Sequence, residues 1–366
     1  MPPRLFRACA LAAACLLVLA ATRAATACTG IRLKAKDGAV VYARTMEFGA
    51  PLPPVITAVP KGVELVGLAP GGAEGLRWTA RYAAVGMGTE AYDVMADGLN
   101  EKGLGAGLFY HPGYAKYAEA DPNQRERSIS VLQLATYLLT TCATVDDARQ
   151  AMKSVVVAPT EIAEFGGPPP LHAVVHDAAG NCIVIEFLEG ETRIFDNPLG
   201  VITNAPTFDW HVVNLRNYVN LTPTNKTGIA LDDLKLGPFG EGSGMPGLPG
   251  DFTPPSRFVR AVAFTRSAHP VEDAGAAVNQ AFHILNNFDI VPGYVRSAPS
   301  GHAAHEADDV TQWTTASDLA NRRFYYRTYE DPRIRFVDLT RLKLGDQPLR
   351  RPLNDRGPTF VDETTD

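Results

Sequence analysis

Apolar positions alternate with polar ones through Ile31, Leu33 and Ala35, Asp37-Gly38 breaks the run, and residues 40–46 resume an extended pattern. This predicts a β-hairpin with Cys28 at its open end. Further strands are expected at 82–87 and 105–110. Over 128–139, Ile129, Leu132, Leu134, Ala135 and Leu138 recur at helical spacing. Thr144, with Asp147 three residues later, marks the start of a second helix that runs to about Ser154. Short β-rich runs follow at 171–176, 182–187, 192–195 and 200–204, with turns at 177–181 and 189–190. Helices are predicted at 209–219, 256–268 and 271–286, and strands at 311–317 and 323–329. Strands and helices come in groups, without the strict alternation of a doubly wound sheet. That favours a layered α+β architecture with antiparallel sheets. The stretch 237–255 is rich in Gly and Pro and reads as a long surface loop. No internal repeat is evident, and 28–366 reads as one domain.

Composition narrows the class. The chain has 366 residues, 46% hydrophobic and 20% charged, which excludes an intrinsically disordered protein. A formal net charge of −6 argues against a general nucleic-acid binder, which needs a dense basic surface. Five Cys are too few for a disulfide scaffold, and no C-x-x-C occurs among them.

Arg4 and Arg7 precede an apolar run over 8–21, and Ala25-Thr26-Ala27 follows. A basic start, a short apolar stretch and a small-x-small site describe a secretory signal peptide over 1–27. The run is shorter than the roughly 18 residues of a spanning helix. Its removal takes Arg4, Arg7, Arg23, Cys9 and Cys15, leaving Cys28, Cys142 and Cys182. The product is exported, to a periplasm or beyond the cell. Cutting after Ala27 makes Cys28 the first residue, and two readings follow. In one, Cys28 is acylated and anchors a lipoprotein with a binding role. In the other it is an N-terminal nucleophile whose own α-amine is the base. Bacterial lipoproteins usually carry Leu or a similar residue three before the Cys; here that residue is Ala25.

Other chemistry is thin. Gly240-Glu241-Gly242-Ser243-Gly244 lacks the Lys-Ser/Thr and preceding strand of a phosphate loop, so no cofactor is expected. His302-Ala303-Ala304-His305-Glu306 lacks the H-E-x-x-H order and sits in a polar stretch, so no metal is expected either. Asn220-Leu221-Thr222 and Asn225-Lys226-Thr227 are glycosylation sequons, of use only in a eukaryotic secretory route. Whether Cys142 and Cys182 pair stays open on spacing alone. The eight His show no pairing that suggests a Cys-His couple. An α-amine fills that gap, because its pKa of about 7.7–8.0 leaves much of it neutral near neutral pH. It can take the thiol proton and return it to a leaving amine. A neighbouring Arg would make the thiol a better nucleophile.

Cys28-Thr29-Gly30-Ile31, Ala43-Arg44-Thr45-Met46-Glu47 and Asp97-Gly98-Leu99-Asn100-Glu101-Lys102-Gly103-Leu104 resemble the choloylglycine hydrolase family, which includes bile salt hydrolases and penicillin V acylases. Thr203-Asn204-Ala205-Pro206-Thr207-Phe208-Asp209-Trp210, Pro255-Ser256-Arg257-Phe258-Val259-Arg260 and Trp313-Thr314 continue the same order. Together they span Cys28 to Tyr329. The resemblance implies a four-layer αββα N-terminal nucleophile hydrolase, often a homotetramer. It also implies cleavage of a non-peptide C–N amide through a thioester on Cys28, with no cofactor. By position, Arg44 would keep the thiol nucleophilic, Asn204 would donate to the oxyanion, and Arg257 would steady the site through polar contacts.

Two departures stand out. Glu47 occupies the place of the Asp that in the family commonly binds the α-amine. The family's second polar contact falls in Leu108-Phe109-Tyr110-His111-Pro112-Gly113, where one residue is inserted. Tyr110 can donate a hydrogen bond and Phe109 cannot, which favours Tyr110 and leans slightly toward penicillin V acylase. The expected substrate is a small amide with an apolar acyl group, and Phe48, Phe109, Tyr110 and Trp210 are candidates for the pocket wall. An N-acyl homoserine lactone acylase of the same chemistry is the alternative. A secreted structural protein with a chance Cys does not account for the ordered motifs.

Overall fold

The computed structural model describes residues 27–296 and 308–353, with isolated positions beyond. Residues 1–26, most of the expected signal peptide, and the His302–Glu306 stretch lie outside the described residues.

The hairpin forms as its alternation predicts. Strand β1 (Cys28–Lys34) pairs antiparallel with β2 (Val40–Phe48), setting Cys28 opposite Met46 and Gly30 opposite Arg44. Gly38 takes φ 91°, a left-handed turn position that suits glycine, and Asp37 Oδ1 accepts the Ala39 N–H at 2.8 Å. β2 continues into a mixed-length antiparallel sheet with strands Asp308–Asp318, Arg323–Thr328 and Arg335–Asp338. Behind it lies an eight-stranded antiparallel sheet ordered 191–196, 182–188, 171–177, 104–110, 92–100, 84–89, 54–59, 349–352.

Helices cover the outer faces. α1 (Leu134–Thr141) packs on strands Tyr92–Asn100 and Leu104–Tyr110, and α2 (Val145–Ser154) on Leu171–Asp177. On the other side, α4 (Pro254–Ser267) lies against β1, and α5 (Ala274–Leu285) against β1, β2 and Asp308–Asp318. A seven-residue helix, α3 (Phe208–Asn214), precedes α4. The result is the four-layer αββα sandwich, with one core inside the sheet pair and under α4 and α5, and a second under α1 and α2.

Several local expectations hold for stated reasons. Thr144 Oγ1 accepts the Asp147 N–H at 3.1 Å, and Asp147 Oδ2 accepts the Thr144 N–H at 3.1 Å, so the capping box starts α2. Two expectations are corrected. The helix predicted from residue 128 begins only at Leu134, because Ser128–Ser130 pairs in parallel with Val156–Ala158 and Ser130 caps a short 3-10 turn. The strand expected at 200–204 is an irregular segment, joined to β1 only by the paired Gly30 and Ile202 backbones at 2.8 and 3.0 Å. Cys142 and Cys182 are both free and buried, so they do not pair. No helix among the described residues is long and apolar enough to cross a membrane.

Candidate active site

The hairpin brings Cys28 to the open end of the first sheet, and the segment 201–204 closes over that edge. Gly30 permits this approach, since a Cβ there would lie 2.7 Å from Ile202 Cγ2 and 2.8 Å from Phe109 Cζ. Cys28 is 2% exposed, with Sγ 3.9 Å from both Met46 Sδ and the Glu47 carbonyl.

Two chain-distant side chains converge on its backbone. Asn204 Oδ1 accepts the Cys28 N–H at 2.8 Å. Arg257, at the start of α4, donates from Nη1 to the Cys28 carbonyl at 2.5 Å and to Thr29 Oγ1 at 3.0 Å. Its Nη2 donates to Asn204 Oδ1 at 2.6 Å, and its Nε to the Phe252 carbonyl at 2.9 Å. Asn204 Nδ2 donates to the Tyr110 carbonyl at 2.7 Å. An amide nitrogen carries two hydrogens, so a second donor remains on Asn204.

Arg44 sits on the other flank of the thiol, fully buried. It donates from Nη1 to the Leu108 carbonyl at 2.7 Å and from Nε to the Thr45 carbonyl at 3.1 Å, while Nη2 lies 3.5 Å from Met46 Sδ. Burial alone would lower its guanidinium, but Cys28, Asp97, Tyr42 and Glu47 outweigh that and raise it. Asp97 is therefore part of the site's charge balance: it is buried, and its Oδ2 accepts from Thr315 Oγ1 at 2.5 Å. Burial pushes the Cys28 thiol up, and Arg44 is the strongest group pulling it back.

Glu47 Oε1 accepts from Thr311 Oγ1 at 3.1 Å, while Oε2 is buried without a partner. Burial, opposed by Arg257, pushes Glu47 up to about 8. Asp309, two residues before Thr311, is likewise pushed up to about 7 by burial, again opposed by Arg257. Both folded carboxyls hold their protons more tightly than an unfolded carboxyl does. Their contribution to stability is complete below the ordinary carboxylate range and is lost as pH rises through about 7 to about 8. In the chain that retains residue 27, the urea midpoint is expected to fall between about pH 5 and about pH 8.5, and Glu47→Gln to flatten part of that fall. A midpoint rising over this range would contradict the assignment.

The structure separates Phe109 from Tyr110. Phe109 is buried with its ring 4.4 Å from the Arg44 Cζ. The Tyr110 ring instead meets Phe48 at 6.4 Å and Phe165 at 6.5 Å, while its carbonyl holds Asn204. Phe48, Phe165 and Tyr110 thus form an aromatic group next to Glu47. Trp210 lies on α3, 44% exposed, against His211.

Sequence reasoning quoted Asp97 and His111 within motifs but gave them no role, and it missed Asp309, Phe165 and the buried His172, His211 and Glu186 that group with His111. An acid flanked by Gly inside an apolar strand, as at Asp97-Gly98, is a usable signal, because burying it requires a partner. The histidines carry no such signal, being spread over a hundred residues. Among the described residues, His111, His172 and Glu186 form a group whose N and O atoms come within 4.8 Å of one another.

Comparison with known proteins gives a consistent picture. A profile of linear amide C-N hydrolases, choloylglycine hydrolase family, matches residues 28–355. The bile salt hydrolase/transferase of Clostridium perfringens is 35% identical over 326 residues, covering 88% of this chain and 95% of that one. A crystal structure of a mutant conjugated bile acid hydrolase from Clostridium perfringens superposes with a TM-score of 0.80 at 32% identity, covering 92% of this chain and 100% of the other. The penicillin V acylase of Agrobacterium tumefaciens shares the fold, with a TM-score of 0.67 at 22% identity over 86% of this chain and 87% of that one.

Proposed function

Because the chain belongs to the choloylglycine hydrolase family and is a hydrolase of linear amide C–N bonds, we propose that it is exported, is cut before Cys28, and cleaves small amides of apolar acids through a thioester on that residue. The observation that carries this reading is the convergence of Asn204 and Arg257 on the Cys28 backbone, with Arg44 beside the thiol.

The chemistry follows from that placement. The free α-amine of Cys28 takes the thiol proton, and Sγ forms a bond to the amide carbon. The oxyanion accepts from the spare Nδ2 hydrogen of Asn204. As the C–N bond breaks, the amine returns its proton to the leaving nitrogen. Water, deprotonated by the same amine, then attacks the thioester, releasing the carboxylic acid and restoring the thiol. Arg44 favours the thiolate, and Arg257 fixes the Cys28 carbonyl and Asn204 Oδ1, so the amine keeps one direction. Glu47, held by Thr311 Oγ1 at 3.1 Å, is the carboxyl assigned to the new amine in place of the family's Asp.

For the acyl group, Phe48, Tyr110 and Phe165 supply an aromatic wall suited to a ring or fused-ring acid. The test is a panel of penicillin V, glycine- and taurine-conjugated bile salts, and long-chain N-acyl homoserine lactones, with release of the free amine followed. Turnover of penicillin V or a bile salt at the highest kcat/KM is expected. Preference for the lactones would move the assignment to a quorum-signal acylase. Hydrolysis of none would overturn the substrate class.

A further inference from the structure

The turn that carries Asn204 has an unusual set of backbone partners. His172 Nε2 lies 3.0 Å from the Thr203 carbonyl, His211 Nε2 lies 3.0 Å from the Asn204 carbonyl, and His111 Nε2 lies 3.3 Å from the Pro206 carbonyl. A carbonyl oxygen only accepts, so in each case the imidazole Nε2 carries the hydrogen and donates. The four side chains come from four places in the fold: His111 follows strand Leu104–Tyr110, His172 and Glu186 lie on adjacent strands, and His211 is on α3. All four are at most 2% exposed. The His111 and His172 rings stack at 4.2 Å with a 7° interplanar angle. Glu186 Oε1 lies 3.3 Å from His172 Nδ1 and accepts the Phe208 N–H at 2.9 Å, so it ties the start of α3 to the same group.

We propose that His172 and Glu186, with His111 and His211 on either side, are positioning residues that hold residues 203–206 by their carbonyls and thereby aim Asn204 at Cys28. The proposal rests on the reading of Asn204 given above. It accounts for four buried polar side chains that the thioester chemistry does not use. It also accounts for their direction, because every one of the three imidazoles spends its Nε2 hydrogen on this one turn. For His111 the nitrogen that holds Pro206 is also the one that faces Glu186, at 3.9 Å, so at that imidazole the carbonyl contact and metal binding exclude each other.

Proton bookkeeping makes the device sensitive to pH. With Nε2–H of His172 committed to Thr203, the Nδ1–Oε1 contact needs one more proton, resident on either atom. Burial pushes Glu186 up to about 7, with His111 opposing, and pulls His172 down to about 4. Asp209 on α3 also faces Glu186 and raises it, while His211 and, beyond it, Arg257 face the imidazoles. When the shared proton leaves as pH rises past about 7, Glu186 draws the remaining imidazole proton to Nδ1. Nε2 then faces the Thr203 carbonyl with a lone pair, and the hold on the turn is lost.

The experiment uses the mature enzyme with His172→Leu, His172→Gln and Glu186→Gln, measured on penicillin V and a glycine-conjugated bile salt. Alkylation of Cys28 by iodoacetamide provides a second readout that needs no substrate. His172→Leu is expected to lower kcat about 10- to 100-fold with KM little changed, and to change the alkylation rate about 10-fold. His172→Gln, whose side-chain N–H still reaches Thr203, should recover most of both. Glu186→Gln should remove the fall in kcat above about pH 7, since an amide has no such proton to lose. A His172→Leu enzyme that matches wild type in kcat and alkylation, a Gln variant no better than Leu, or one equivalent of tightly bound zinc in the wild type would each overturn the proposal. If the wild type hydrolyses neither amide, the alkylation series still decides the positioning role, and only the substrate reading falls.

Discussion

Replacing Cys28 by Ser should lower kcat at least about a thousandfold while leaving the fold intact. The hydroxyl occupies the same pocket, and the backbone contacts of residue 28 to Asn204 and Arg257 do not involve the side chain. What changes is acidity. An amine titrating at about 7.7–8.0 can deprotonate a thiol that Arg44 helps to ionise, but it is far too weak a base for an alcohol. Unfolding curves of the two proteins should superpose closely, with steady-state hydrolysis separating them. A Ser variant that retains a tenth or more of wild-type turnover would sink the thiol mechanism.

A comparable loss is expected when the chain is not cut before residue 28. The nitrogen that donates to Asn204 Oδ1 is then an amide, whose lone pair is delocalised and cannot accept a proton at any ordinary pH. General base catalysis is typically worth about 100- to 10,000-fold, so that is the size of the deficit. Exchanging both Ala25 and Ala27 for Leu removes the small-x-small site and is expected to give an intact mass that includes the leader, with turnover reduced accordingly. An uncut chain as active as the cut one would show that the α-amine is not the base. In the wild type, a mass starting at Cys28 with diacylglycerol attached would instead assign the thiol to a membrane anchor.

How far this site could be read from the chain depended on distance along it. The Cys28–Arg44 relation was legible, because the Asp37-Gly38 turn fixes the hairpin register and places Gly30 opposite Arg44. The α2 cap was legible for the same local reason. Asn204 and Arg257, 176 and 229 residues from Cys28, leave no local trace, and only the ordered motifs pointed to them. The second polar position was harder, because strand alternation decides which of Phe109 and Tyr110 turns inward, and an insertion blurs that phase. Periodicity also misled: Ile129 and Leu132 fit a helix, yet residues 128–130 pair with a distant strand that no short window contains. The imidazoles around Glu186 were invisible for a simpler reason, since their common purpose lies in a turn that none of them neighbours in sequence.

The burial of the Cys28 end also bears on motion. Chain termini usually fray, opening and closing at almost no cost in free energy. Here the first strand is paired along all of its length from residue 28, and its outer edge is latched by the Gly30–Ile202 pair. The Cys28 end therefore cannot peel away alone. To move, it must take the 201–204 segment and the Arg257 contacts with it, which makes Cys28 part of a slow-exchanging unit and not of the mobile fringe.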